Sequence, residues 1–152
     1  MVGQRIKRVQ KYIGNETFMM TYGDGVCDVD ISELLNFHQK KGKFATLTSV
    51  IQQQTKGAID INYDNSVRAF REKNLKDAIS INAGYMVLEP TVFNYIEDDS
   101  TVFETDVLGQ LAKDGQLMSY KHNGFWQCMD TKTEKLLLEK MWKSGYAPWR
   151  KW

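Results

Sequence analysis

Residues 17–51 read TFMMTYGDGVCDVDISELLNFHQKKGKFATLTSVI, and three patterns follow one another along them. The run Thr17 to Tyr22 is apolar and long enough for a buried strand, and Gly23-Asp24-Gly25 stops it. Asp30, with Glu33 three residues on, has the form of a capping box. Ile31, Leu34, Leu35 and His38 then recur at i, i+3, i+4 and i+7, the stripe of an amphipathic helix. Lys40 and Lys41 suit its negative end and Gly42 suits a C-cap. Phe44 to Ile51 is β-branched and apolar, a second buried strand. Strand, helix and strand, with a crossover of ~20 residues, predict a parallel βαβ unit.

Upstream, Ile6, Val9, Tyr12 and Ile13 stand at helical spacing with lysine and arginine between them. Downstream, Ala58 to Asn62 and Val67 to Arg71 flank Tyr63-Asp64-Asn65, a hairpin pattern. Ile79 to Leu88 is a further strand, closed by Pro90. Val92, Phe93 and Ile96 predict a short helix, and Val102 to Lys113 a longer one that buries Val107, Leu108 and Leu111. Asp114-Gly115 ends it, and Leu117 to Tyr120 predicts a strand. A last helix is expected from Thr131 to Lys143, opened by a Thr131/Glu134 capping box, with Leu137, Leu138, Met141 and Trp142 as its buried face. The sum is one α/β domain over residues 1–152 with a mixed sheet flanked by helices.

Composition narrows the function classes. The chain has 152 residues, 42% apolar and 26% charged, with 20 Lys+Arg against 19 Asp+Glu. A net charge of +1 leaves no electrostatic footprint for nucleic acid. Two cysteines, Cys27 and Cys128, exclude a disulfide scaffold and a four-cysteine zinc site, and suit a reduced, cytoplasmic protein. They read as small buried hydrophobes. No stretch approaches the ~18 apolar residues of a membrane span, and the charged N-terminus has no signal-peptide pattern.

In open α/β sheets ligands bind outside the carboxyl ends of the strands, and Gly23-Asp24-Gly25 stands at such an end. Its glycines let a ligand approach the backbone. Asp24 is spared as a helix cap, because Asp28 or Asp30 can do that, though by spacing alone an ordinary Asp-Gly turn is the commoner description. Asp28-Val29-Asp30 is no EF-hand, since Glu33 occupies the position that needs glycine. Asp130 precedes the last helix and reads as an N-cap, or as a free carboxylate if Thr131 caps instead. Asp24 and Asp130 could then share one magnesium ion, which takes one or two carboxylates plus substrate phosphates. Glu72-Lys73 is a solvated pair or a phosphate-neutralising lysine beside a hydroxyl acceptor. Asn82-Ala83-Gly84 puts glycine inside a strand, a mark of close approach by a ligand or another backbone. His38 reads as a core histidine, His122 as a surface one, and the aromatic tail from Trp142 to Trp152 as packing or interface.

Taken in order, Tyr22-Gly-Asp-Gly-Val26, Asp28-Val-Asp30, Glu72-Lys73, Ile81-Asn-Ala-Gly84, Leu88-Glu-Pro90, Leu111-Ala-Lys-Asp-Gly-Gln-Leu117 and Trp126-Gln-Cys-Met-Asp-Thr131 resemble the sugar-1-phosphate nucleotidylyltransferases. Lys121-His-Asn-Gly-Phe-Trp126 and Ser144-Gly-Tyr-Ala-Pro-Trp149 are most similar to the cytidylyltransferase members that act on glucose 1-phosphate. The resemblance implies a Rossmann-like nucleotide-diphospho-sugar transferase fold. It implies synthesis of CDP-glucose from CTP and glucose 1-phosphate, for surface polysaccharides. Asp24 and Asp130 would bind Mg2+, Lys73 the sugar phosphate and Glu72 sugar hydroxyls, with Asn82 and Gly84 lining the sugar site. The resemblance also implies that the chain corresponds to the C-terminal two-thirds of the family, without the glycine-rich triphosphate cradle. Asn74 stands where the family usually has proline. The expectation is a homo-oligomer inactive alone, with a silent assembly module as the alternative.

Overall fold

The computed structural model describes residues 2–52, 58–71 and 79–151. A helix α1 (Val2–Ile13) leads into strand β1 (Phe18–Thr21) and a short β2 (Gly25–Cys27). Helix α2 (Ile31–Lys41) and strand β3 (Ala45–Gln52) follow, then the hairpin β4 (Ala58–Ile61) and β5 (Val67–Arg71), and the long β6 (Ile79–Leu88). A 3-10 segment (Pro90–Tyr95), a π-helical turn (Phe103–Val107) and α3 (Leu108–Lys113) lead to β7 (Leu117–Lys121), β8 (Trp126–Cys128) and α4 (Lys132–Lys143).

The central sheet has the order β1-β6-β3-β7, with β6 antiparallel to both neighbours and β3 parallel to β7. It is mixed, as the sequence predicts. The expected βαβ unit needs a correction: β1 and β3 run parallel, but β6 lies between them. Helix α2 spans this gap. β6 is the longest strand, and Met86, Val87 and Leu88 are essentially without exposure. Successive residues point to opposite faces, so such a strand loses least when both of its faces are covered.

Helices lie on both faces. One face packs Ala45, Met86 and Leu88 against Ile6 of α1 and Val92, Phe93, Phe103, Val107, Leu108 and Leu111. Phe18 stacks on Phe93 at 5.4 Å. Lys7 of α1 donates to the carbonyls of Phe93 (2.9 Å) and Ile96 (3.1 Å), satisfying the end of the 3-10 segment. On the other face α2 seats Leu34 and His38, each 1% exposed. Asp30 caps α2 by accepting from the Glu33 N–H, while Glu33's own carboxylate takes the Tyr120 hydroxyl. Gly42 ends α2 in the left-handed region, φ 59°. His38 is the expected core histidine. Its ring bonds Thr46 Oγ1 (2.8 Å) and Glu89 Oε1 (2.9 Å).

Three local expectations shift. The long helix from Val102 opens as a π turn, in which the Leu108 N–H reaches back to the Phe103 carbonyl. The short helix around Phe93 is a 3-10 segment starting at Pro90. On α4, Leu138 is buried, but Leu137 and Trp142 are exposed. None of the described helices is long and apolar enough to cross a membrane.

Candidate functional site

β1 delivers the chain through Tyr22 into Gly23-Asp24-Gly25, and β2 then pairs antiparallel with β8. Gly25 lies opposite Cys128, and Cys27 opposite Trp126. This ribbon was missed by the sequence reading, since three-residue strands carry no periodic signal. It docks on the central sheet through Trp126 Nε1 to the Ala83 carbonyl (2.9 Å) and the Tyr85 hydroxyl to the Gly25 carbonyl (3.0 Å). Pairing continues past the strand ends, where the Met129 N–H donates to the Asp24 carbonyl at 2.8 Å. The backbones of Asp24 and Asp130 thus come to facing ends of one ribbon, both residues exposed.

Neighbours perform the capping on either side. Thr131 and Glu134 form a complete capping box at α4, and the Glu134 carboxylate also takes the Asp130 N–H at 2.9 Å. These backbone and hydroxyl donors hold the Glu134 carboxyl below its usual value. Asp130 Oδ2 accepts the Cys128 thiol at 3.2 Å. Burial, then this carboxylate, push the thiol up to about 11.

Asn82 and Gly84 meet the site from β6. The ladder between β3 and β6 shifts register between Leu47 and Ser49, and Gly84 sits in that bulge at φ 81°. Asn82 Oδ1 accepts the Gly84 N–H at 2.9 Å. What approaches Gly84 is the Tyr22 ring: a Cβ at 84 would lie 2.7 Å from Tyr22 Cδ2. Opposite the bulge, the fully buried Thr48 hydroxyl has no hydrogen-bond partner among the described residues. Glu72 and Lys73 lie outside the described residues.

An open cavity of about 610 Å3 adjoins Asp24, between β1 and α1, with Arg5, Met20, Tyr22 and Glu104 in its wall. The sequence reading passed over Arg5 and Glu104. Arg5 adjoins the apolar stripe of α1, which was the available signal; Glu104 is brought by the π turn and had none.

His122 differs from its expected surface role. It is half-buried, with Nε2 2.8 Å from Asp28 Oδ1, and that oxygen also accepts the Phe125 N–H at 2.7 Å. Gly124 leaves the room, because a Cβ there would overlap Asp28 Oδ1. The Cys27 thiol lies within 4.8 Å of both, buried and pushed up by that burial. With its carboxylate oxygen doubly bonded, the cluster is a satisfied clamp between the exit of β2 and the entry to β8.

A family profile described as nucleotidyl transferase matches residues 4–142. The chain belongs to that family. It is 46% identical over 153 residues to the glucose-1-phosphate cytidylyltransferase of Salmonella typhimurium, covering 100% of this chain and 59% of that protein. It is 42% identical over 149 residues to a probable glucose-1-phosphate cytidylyltransferase of Bacillus subtilis, covering 97% and 58%. Among solved structures, a putative glucose-1-phosphate thymidylyltransferase from Bacillus anthracis superposes with a TM-score of 0.68 at 18% identity, covering 90% of this chain and 58% of that one. The architecture is accordingly that of the nucleotide-diphospho-sugar transferases. The chain spans about three-fifths of the length of these relatives.

Proposed function

We propose that this chain carries the sugar-phosphate and cation-binding part of a nucleotidyl transferase that makes CDP-glucose. One observation carries the reading: the chain matches a glucose-1-phosphate cytidylyltransferase at 46% identity over its whole length. In this reaction a phosphate oxygen of glucose 1-phosphate attacks the α-phosphorus of CTP. A new P–O bond forms, the bond from the α-phosphorus to its bridging oxygen breaks, and the electron pair leaves on pyrophosphate. Such transfer rests on positioning and charge neutralisation.

Each residue has a role in this reading. Lys73 meets the sugar phosphate, Glu72 accepts sugar hydroxyls, and Asn82 and Gly84 line the sugar pocket. Arg5, in the cavity wall beside Asp24, offers a second cation for phosphate oxygens. Asp24 and Asp130 suit magnesium, being solvent-exposed carboxylates whose hard oxygens leave coordination positions for phosphates. Bound there, the ion would offset triphosphate charge.

The 152 residues hold no glycine-rich triphosphate cradle. Positioning of two reactants is worth ~7–11 kcal/mol of barrier, so we expect no measurable turnover from these residues alone. Among the described residues β1 is an edge strand, and its Phe18-Met-Met-Thr21 carries no charge to discourage strand pairing, so copies should associate there. A clean monomer in light scattering at tens of micromolar would end that expectation.

Pyrophosphate release from CTP and glucose 1-phosphate tests the rest. Release is expected when a glycine-rich cradle from a relative is fused in frame, and none without it. Robust release from the chain alone overturns the inactivity. Failure of the fusion with CTP, alongside turnover of another nucleotide, overturns the assignment of substrate.

A further inference from the structure

We propose that Glu104 is a positioning residue for Asp24, acting through the hydroxyl of Tyr22; the functional meaning rests on the reading of Asp24 as a cation ligand. Tyr22 is held at three points. Its N–H donates to the Gly84 carbonyl at 3.1 Å. Its ring lies on Gly84, where the positive φ and the missing Cβ make room for it. Its hydroxyl donates to Glu104 Oε1 at 2.7 Å, and burial together with that carboxylate raises the phenol well above its ordinary value.

Glu104 is itself fixed. It belongs to the π turn, whose first and last residues, Phe103 and Val107, are both fully buried. Isolated π turns are rare and concentrate at functional sites. The residue that follows Tyr22 is Gly23, and a Cβ there would meet nothing within 4 Å. Asp24 thus hangs between two anchors: the Met129 N–H on its carbonyl, and Tyr22 one flexible residue upstream. Removing the carboxylate that holds the Tyr22 hydroxyl frees one of them. A glutamine at 104 keeps an acceptor for that hydroxyl, whereas alanine keeps none.

Backbone 15N relaxation of the 152-residue chain tests this, with Mn2+ added alone as the cation probe. In the wild type the amides of Gly23, Asp24 and Gly25 should be rigid, with order parameters of about 0.85. Glu104→Ala and Tyr22→Phe should each bring them below about 0.6, while Glu104→Gln keeps them rigid. The strand amides of β6 serve as an internal control that each variant is folded. Mn2+ should broaden signals around Asp24, at roughly tenfold higher concentration in Glu104→Ala, and not at all in Asp24→Asn. Unchanged order parameters in both Glu104→Ala and Tyr22→Phe overturn the positioning role. Broadening that persists in Asp24→Asn overturns the cation reading instead, whatever the order parameters do.

Discussion

The four-stranded sheet and the β2–β8 ribbon are built in opposite ways. Leu88 of the sheet and Phe93 and Phe103 packed on it are at most 1% exposed, and helices cover both faces. The ribbon has three residues per strand, and its candidate carboxylates stand at open ends. Among the described residues, Trp126 to Ala83 and Tyr85 to Gly25 tie it to the sheet, and the Phe125 N–H to Asp28 closes its other end. A carboxylate that is to meet a cation must stay near water, since burying an unpaired charge costs several kcal/mol. Apolar burial therefore holds the shape, while the candidate site hangs from it by directional bonds that can be altered without dissolving the fold.

If that contrast is right, Phe103→Ala should have the largest effect. Its ring is fully buried, and such a deletion costs about 3–5 kcal/mol. Urea unfolding should show the loss, and a change below about 1 kcal/mol would break the comparison. Gly84→Ala tests the seam between the regions. It combines a left-handed φ with a Cβ 2.7 Å from the Tyr22 ring, together about 2–4 kcal/mol. Adding Tyr22→Ala should relieve the steric part and leave the backbone part.

Within the outer region, Thr131→Ala removes one half of the α4 capping box and should cost about 1 kcal/mol. Faster amide exchange confined to the first turn of α4 would sharpen the contrast; loss of protection across the sheet would break it. The sign with pH follows from Glu134, whose folded carboxyl sits below its usual value. Its contribution is fully present above the ordinary glutamate range and is lost as the pH falls through the lowered value. The penalty of Thr131→Ala should shrink over that same fall.

The smallest effect is kinetic. The Cys128 thiol, at about 11 partly because of Asp130, should alkylate slowly at pH 8. Asp130→Asn should speed alkylation a few-fold by lowering that value. If Asp130 holds a cation, millimolar magnesium should do likewise in the wild type and nothing in Asp130→Asn. Equal rates with and without magnesium would count against Asp130 as a ligand.

Much of this molecule is legible in its sequence because the relevant forces are local. The caps at Asp30, Gly42 and Thr131 each act within about four residues, and the strands at 18–21, 45–52 and 79–88 declare themselves by apolar runs. The paired ends around Asp24 and Asp130 could be suspected from glycine and capping chemistry, but their meeting could not. It depends on a six-residue ribbon whose parts are over 90 positions apart.

Sequence alone, then, determined the long strands, the capped helices and most of the residues worth watching. Tertiary structure decided that β6 separates β1 from β3, that the Tyr22 ring lies against Gly84, and that Glu104 reaches the Tyr22 hydroxyl. The reason is physical. Caps and periodicity are contacts between residues a turn or a pleat apart, whereas strand order and ring placement come from summed burial across distant segments, where no single residue carries the signal.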